Sequence, residues 1–485
     1  MNITKSLTIL SLVFVSNLGT GRTLAVEAVD FQVLQEFSVG HPIGKLRAVP
    51  VQLGRDKSGI LLAYSADKEI DPYIEMFYPP TDKMKLTLVD LEGNTIWHRE
   101  LGSGVINGIW FTPIFPMDLD QDGVDEIWFV NNTDPVHIFA FAKTRLESLD
   151  AVTGETLGHW KWKRAVWGSQ SETFRNFILG GFVDGSPVLI TAQGTYGDMR
   201  LQAWNPNMEQ RWDLRIGKSD KGARGSHMCP VVDIDHDGND ELLWGERCIR
   251  INDGTYKFIA DENVYRGHSD VIQPTLNRKE NRWYVFTCRE SGDKGEIKPR
   301  VVMFDDHGKR VWTDLEMGHM DMGWTAHTGS NGEVLAFTIS RGDKVAGPDG
   351  FFRKDVVEYA YEAFQGNKVT LPFKAYNTVP VDVNGDGIHE YLSALGEQAD
   401  RKLYALNGST LGSVGEKGYV AMASKFLEAP GEQILCYYPD GTIKIWGDQN
   451  AKDNKLAMKR YSNPYYKKTQ KLTAVGWNLA SLGGL

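Results

Sequence analysis

The chain has 485 residues, a formal net charge of −10, and unusually many Trp (14) and Gly (50) residues. An acidic molecule of this kind repels polyanions unless a local basic patch offsets the field, and no basic stripe or reader motif for nucleic acid is present. Four cysteines (Cys229, Cys248, Cys288, Cys436) at irregular spacing do not make a disulfide framework, so free or metal-bound thiols fit as well as bridges. There is no GxSxG, no P-loop, and no GxGxxG between a strand and a helix.

In chain order, residues 1–25, "MNITKSLTILSLVFVSNLGTGRTLA", read as a signal peptide: a lysine, a short apolar run, then small and polar residues. The run is too short to span a bilayer and no later stretch is longer, so residues 26–485 are expected as one secreted domain, extracellular or periplasmic, without a membrane span. Next, "FQVLQEFSVG" reads as an outer strand without inner partners. Units of about four strands then begin near residues 46, 111, 175, 227, 268, 324, 376 and 419. Most end in a turn followed by an aromatic strand, as in "LEGNTIWHREL" and "DDHGKRVWTDL". Self-similarity on this scale, with little helical periodicity, predicts an all-β fold: one β-propeller of eight blades, or seven if one weak unit is decoration. The N-terminal strand would close the ring.

Three units carry an acidic hairpin: "DLDQDGVDE" at 118–126, "DIDHDGNDE" at 233–241 and "DVNGDGIHE" at 382–390. An EF-hand loop requires Glu at its twelfth position, where these have Phe129, Trp244 and Ser393. They read as strand–turn–strand, with Ca²⁺ at Asp118, Asp233 and Asp382 as a weak brace.

In a propeller those turns face away from the starts of the innermost strands and the loops between second and third strands. The latter face collects Arg224, His227, Arg266, His268, Asp270, His319 and Asp321 from strand starts. It also receives Asn131, Asn132, His137, Gln193, Tyr196, Arg200, Arg289 and Arg341 from loops. Singly, each is an ordinary solvated residue. Together they suit an anionic ligand, and specifically β-elimination from a uronic acid. An Arg or a metal offsets the carboxylate, a His or Tyr removes the C5 proton, and another protonates the departing O4. Trp110, Trp167 and Trp324 are candidate sugar platforms. His268, Cys288 and His319 or His327, with His227, could assemble a Zn²⁺ site, the alternative being a buried thiol beside unrelated histidines.

The run "DIDHDGNDELLWGERCIRINDG", followed by "YRGHSDVIQP", resembles the propeller polysaccharide lyases, including the rhamnogalacturonan lyases. Length, leader and the His/Tyr/Arg loops are more similar to the ulvan lyases, over most of residues 40–450. That resemblance implies a monomeric enzyme cleaving an anionic algal or plant cell-wall polysaccharide, ulvan first, with a structural metal. It implies His137 and Tyr196 as acid and base, Arg200 or Arg224 as neutraliser, and His159 as a second histidine, although "ETLGHWKW" reads as an outer strand. Asn132, Arg266, Tyr265, Trp167 and Arg289 would bind substrate, with Tyr265 a rival to Tyr196. The alternatives are a rhamnogalacturonan-type lyase in which Ca²⁺ bridges the carboxylate, and a non-catalytic carbohydrate-binding propeller.

Overall fold

Eight four-stranded antiparallel sheets follow one another along the chain, with innermost strands at Lys45–Gln52, Ile114–Met117, Asn176–Val183, Val231–Val232, Ser269–Asn277, Met320–His327, Thr378–Val381 and Tyr419–Ser424. These starts agree with the eight repeat units read from the sequence. The computed structural model describes residues 29–162, 168–290, 300–316, 318–342, 344–347 and 350–485, so the expected leader and Trp167 lie outside the described residues. The eighth blade takes its outer strand from the N-terminus, where Phe31–Ser38 pairs antiparallel with Thr442–Asp448. The propeller therefore has eight blades and closes as expected.

Burial follows position in the blade. Ser269–Asn277 is buried at every residue, whereas the outer strands Thr95–Glu100 and Thr156–Lys161 have no buried residue and alternate between half-buried and exposed. The outer-strand tryptophans lock blades together. Trp97, Trp212 and Trp312 each donate Nε1–H at 2.8 Å to a carbonyl of the following blade, at Ala151, Ile251 and Ala363. The rings lie over Gly154, Gly254 and Gly366, whose positive φ and missing Cβ permit the contact.

The acidic hairpins are self-contained turns. The first Asp accepts main-chain N–H groups: Asp118 from Gly123, Asp233 from Asp237 and Gly238, and Asp382 from Gly385, Asp386 and Gly387. The closing Glu ties the turn back on itself, since Glu126, Glu241 and Glu390 accept from Leu119, Ile234 and Val383 at 2.9–3.1 Å. The residue before it reaches the preceding blade: Asp125 accepts from Gln52 N–H, Asp240 from Phe182 N–H, and His389 Nδ1 from His327 N–H.

The strand repeat does not account for the C-terminal segment. After Asn454, which caps with its side chain, come helices at Lys455–Tyr461 and Pro464–Lys471 and 3-10 turns at Leu472–Ala474 and Asn478–Gly484. The segment fills the axis of the ring, packing against the innermost strands of the first, second, fourth and fifth to eighth blades. It is fastened to all three acidic turns: Arg460 to Asp382, Lys468 to Asp240 and Lys471 to Asp125. Arg460 thus puts a guanidinium on the Asp382 turn, and Lys257 pairs with Asp235 and Glu241 in the second turn, so cationic side chains already occupy two of the turns expected to bind Ca²⁺.

Candidate active site

On the face opposite the acidic turns, strand starts and inter-strand loops surround a cavity of about 490 Å³. Its floor is built from residues just before or at the start of innermost strands: Trp110, Arg175, His227, His268, Asp270 and His319. Trp477 joins them from the C-terminal segment. Its N–H donates to the His227 carbonyl at 3.0 Å and its ring lies 4.4 Å from the His227 ring. Gly476 makes this possible, because at φ +56° a Cβ would come within 2.5 Å of that carbonyl oxygen. Trp477 remains 42% exposed within the cavity lining.

Arg175 is 3% exposed and lines the cavity. Its guanidinium lies 4.8 Å over the Trp110 ring and 5.6 Å from the Tyr196 ring, with Nη2 3.2 Å from Asp71 and Nε donating to Ser171. Asp71 also accepts from Trp110 Nε1 at 3.0 Å. The third nitrogen, Nη1, has no hydrogen-bond partner among the described residues. A buried cation with one free donor beside an open cavity is prepared to receive a carboxylate.

Tyr196 sits at φ +69°, a strained conformation for a non-glycine residue, which aims its hydroxyl at His227 Nε2, 3.1 Å away. Burial pushes that hydroxyl well above the usual tyrosine value, the Arg175 charge opposing and Glu290 and Asp270 reinforcing the rise. Beneath the pair, Asp270 Oδ1 lies 3.3 Å from His227 Nε2 and 3.4 Å from His268 Nε2, and Oδ2 lies 3.9 Å from His319 Nε2. His319 also approaches Glu290 at 3.3 Å and Asp321 at 3.1 Å. Burial lowers His268 to about 3 and raises Asp270 well above the carboxylate range, Glu290 and Asp321 adding to the rise. At Asp321 burial works upward, but the hydrogen bond with His319 and the charge of Arg353 hold the carboxyl well below its ordinary value.

These groups fit a divalent cation. His227, His268 and Asp270 can bring ligand atoms within 4.8 Å of one another, as can Asp270, His319 and Asp321. Neither Asp270 oxygen nor His268 Nε2 makes a hydrogen bond among the described residues, although both side chains are 1% exposed. Orphaned N and O ligands facing each other in a dry site are what a cation would satisfy.

The structure sorts the expected site residues. Tyr196, His227, His268, Asp270, His319, Asp321 and Arg341 come to the cavity or its floor. Arg224 supports it through the main chain, its carbonyl accepting from Tyr196 N–H and Thr195 Oγ1 at 3.0 Å, while its Nε is tied to the Arg266 carbonyl. His137 does not join: it is exposed, and its Nδ1 accepts from Phe139 N–H within its own loop. His159 is exposed on the outer strand Thr156–Lys161. Arg200 lies on the strand Met199–Trp204, where its guanidinium grips Asp213 of the neighbouring strand. Arg289 is buried in ion pairs with Glu246 and Asp261, and Tyr265 packs under it, donating to the His268 carbonyl. Asn132 pins the 132–138 loop through the carbonyls of His137 and Ile138, and Arg266 is exposed.

Of the expected Zn²⁺ set, Cys288 is buried in an apolar cluster with Val271 and Phe286. His327 lies at the far end of the Met320–His327 strand, beside His389. Neither shares a cluster with His268. Trp110 and Trp324 are fully buried, so neither offers a face to a sugar. The sequence reading missed Arg175, Asp71, Glu290, Arg353 and Trp477. Arg175 had a readable signal, standing one residue before an innermost strand like His268 and His319.

No protein-family model matches the chain. Among curated proteins it is similar to the rhamnogalacturonan exolyase YesX of Bacillus subtilis (strain 168), with 23% identity over 314 residues, 55% of this chain and 50% of that protein. It is also similar to the rhamnogalacturonan endolyase YesW of the same organism, with 27% identity over 267 residues, 47% of this chain and 43% of that protein. The chain thus spans about half the length of the curated relatives it matches. Among solved structures, that of YesX superposes with a TM-score of 0.72 at 18% identity, covering 92% of this chain and 80% of the other. A rhamnogalacturonan lyase PL11 of Bacillus licheniformis gives 0.70 at 17% identity, covering 94% and 80%. The chain therefore shares the propeller fold of these lyases and measurable sequence similarity with two of them.

Proposed function

We propose that this chain is a polysaccharide lyase that cleaves a rhamnogalacturonan-type backbone by β-elimination at a uronate. The observation that carries this reading is the pairing, across one cavity, of a buried arginine with a free donor and a tyrosine–histidine couple. Arg175 binds the uronate carboxylate and offsets its charge, which acidifies the neighbouring C5 proton. Tyr196 passes its proton to His227 Nε2, takes the C5 proton, and returns a proton to O4 as the C4–O4 bond breaks and the C4–C5 double bond forms. The proton held on His227 then restores the tyrosine. Burial keeps Tyr196 protonated until His227 and the substrate are in place, so the strained loop conformation serves positioning rather than permanent charge. A divalent cation held by Asp270, His319 and Asp321, the group that leaves His227 free for proton transfer, would add positive charge beside the carboxylate; this mixed N and O set suits Zn²⁺.

The relatives above bear rhamnogalacturonan in their names, which moves the substrate reading from ulvan to the alternative weighed with it. Export from the cell and Ca²⁺ at the Asp118 turn, where Asp118 Oδ1 is buried without a partner, remain parts of the proposal. The test is incubation of the full chain, with Ca²⁺ or Zn²⁺ supplied, with rhamnogalacturonan, polygalacturonate and ulvan, following the ultraviolet absorbance of the new double bond. A rise with rhamnogalacturonan that disappears in Arg175→Gln is expected. Binding of the polymer without any rise would establish a carbohydrate-binding propeller instead.

A further inference from the structure

A second cavity, of about 360 Å³, opens on the other face of the ring, between the turns of the fifth and sixth blades and the first C-terminal helix. Its lining contains Arg278, Lys279, Lys459 and Arg460, no carboxylate side chain, and Leu485, whose main-chain oxygen accepts from Arg460 Nε at 2.9 Å. Arg460 is neutralised by Asp382 at 2.8 Å. The other three cations are not. Arg278 is held only by the Gly387 carbonyl, 3.2 Å from Nη1, and neither Lys279 nor Lys459 makes an ion pair among the described residues. The acids nearest in sequence are engaged by other donors: Glu333 by the N–H of the lining residue Asn331 at 3.0 Å and Glu280 by the Tyr284 hydroxyl at 2.6 Å. Burial and then the neighbouring Arg460 lower Arg278 to about 9, with Asp382 opposing.

We propose that this cavity is a second binding site, specific for an oxyanion such as a carboxylate, sulfate or phosphate. Three uncompensated cations converge there on a chain whose net charge is −10, where dispersed lysines would be solvated more cheaply. The Asp-rich turn at 382–390 holds the arrangement rigid, because the Gly387 carbonyl accepts from both Arg278 and Arg460. Arg278 so fixed presents its remaining donors as a planar fork, and the volume falls within the ~300–1,000 Å³ of small-molecule pockets. The site stands whether or not the cleft is catalytic, and an occupant here does not compete with a ligand there.

Isothermal titration of the full chain at low ionic strength with sodium sulfate, inorganic phosphate and galacturonate separates the sources of that chemistry. At least one is expected to bind at a single saturable site that Arg278→Gln with Lys279→Gln weakens by about 10- to 100-fold. Lys279→Gln with Lys459→Gln, both at exposed positions, should weaken it as well and guards against a folding artefact. Binding that persists in Arg175→Gln belongs to this face; galacturonate among the binders points to an acidic sugar, inorganic anions alone to a free oxyanion. Saturable binding lost in Arg175→Gln but untouched by the two paired variants, or no saturable binding at all, overturns the proposal.

Discussion

Arg460 offers the sharpest test of how the ring and its axis are held together. Its side chain is fully buried and spends every nitrogen: Nη1 on Asp382 at 2.8 Å, Nη2 on the Gly387 carbonyl at 2.9 Å and Nε on the Leu485 carbonyl at 2.9 Å, with Glu432 at 3.9 Å. Arg460→Met keeps most of the aliphatic stem, so little packing is lost. What remains is a buried Asp382 facing Glu432 without a counter-ion, and breaking a buried pair in this way costs about 3–5 kcal/mol. The two carbonyls would add ~1 kcal/mol each, but terms in one network do not sum, and Asp382 retains three main-chain donors. A loss of about 3–5 kcal/mol is therefore expected from the urea midpoint at unchanged m-value, with faster proteolysis after residue 455. Arg460→Met combined with Asp382→Asn should recover a large part, since the carboxylate that Arg460 contacts at 2.8 Å is gone and Glu432 keeps the Asp382 N–H and the Tyr466 hydroxyl as donors. A single-variant loss below ~1 kcal/mol, or no recovery in the pair, would refute the argument.

Tyr196→Phe should lower kcat by ~100-fold or more with KM little changed, because it removes a proton carrier and leaves the ring that Arg175 packs on. Trp477→Ala should raise KM by about 2- to 10-fold with Trp477→Phe close to wild type, and quenching of its fluorescence by oligosaccharide would report the contact directly. Burial pushes the Glu126 carboxyl up to about 7, acidic neighbours adding to the rise, so in the folded protein it holds a proton that the unfolded chain releases near pH 4. Its contribution to stability is therefore full at low pH and declines as pH rises through that window. In chelator, Glu126→Gln should raise the melting temperature at pH 8 and leave it unchanged at pH 4.

The propeller was legible because its repeat is written in local terms: turn residues, alternating strands and an outer-strand aromatic residue recur in most units. Ring closure by Phe31–Ser38 could be read for the same reason, as a strand with no inner partners. The site was legible only by face. Residues at strand starts, such as His227 and His268, fell where the topology puts them, while His137 and Arg200 did not: His137 lies on a loop whose course turns it outward, and Arg200 belongs to a strand whose neighbour offers Asp213. Arg289 shows another limit: its neutralisation by Glu246 and Asp261 joins residues 43 and 28 positions away. The C-terminal segment carried no signal in the strand repeat. Its helices begin at the Asn454 and Asn463 caps, the second with Pro464 in its first turn, but that they fill the axis and deliver Trp477 to the cleft depends on the closed ring around them.

The pairing of Phe31–Ser38 with Thr442–Asp448 also sets a timetable. The two partners are separated by about 418 residues, so during synthesis at ~5–20 residues per second the first strand to emerge waits roughly 20–80 s for the last. Through that interval the strand and the open first blade are bare sheet edges, the surfaces most prone to mispair with another chain. Because the cleft draws its groups from several blades and from the segment that follows the closing strand, no nascent intermediate possesses it. Appearance of the cleft is thus a clock for completion of the ring, and its delay would measure how long the oldest strand stays unguarded.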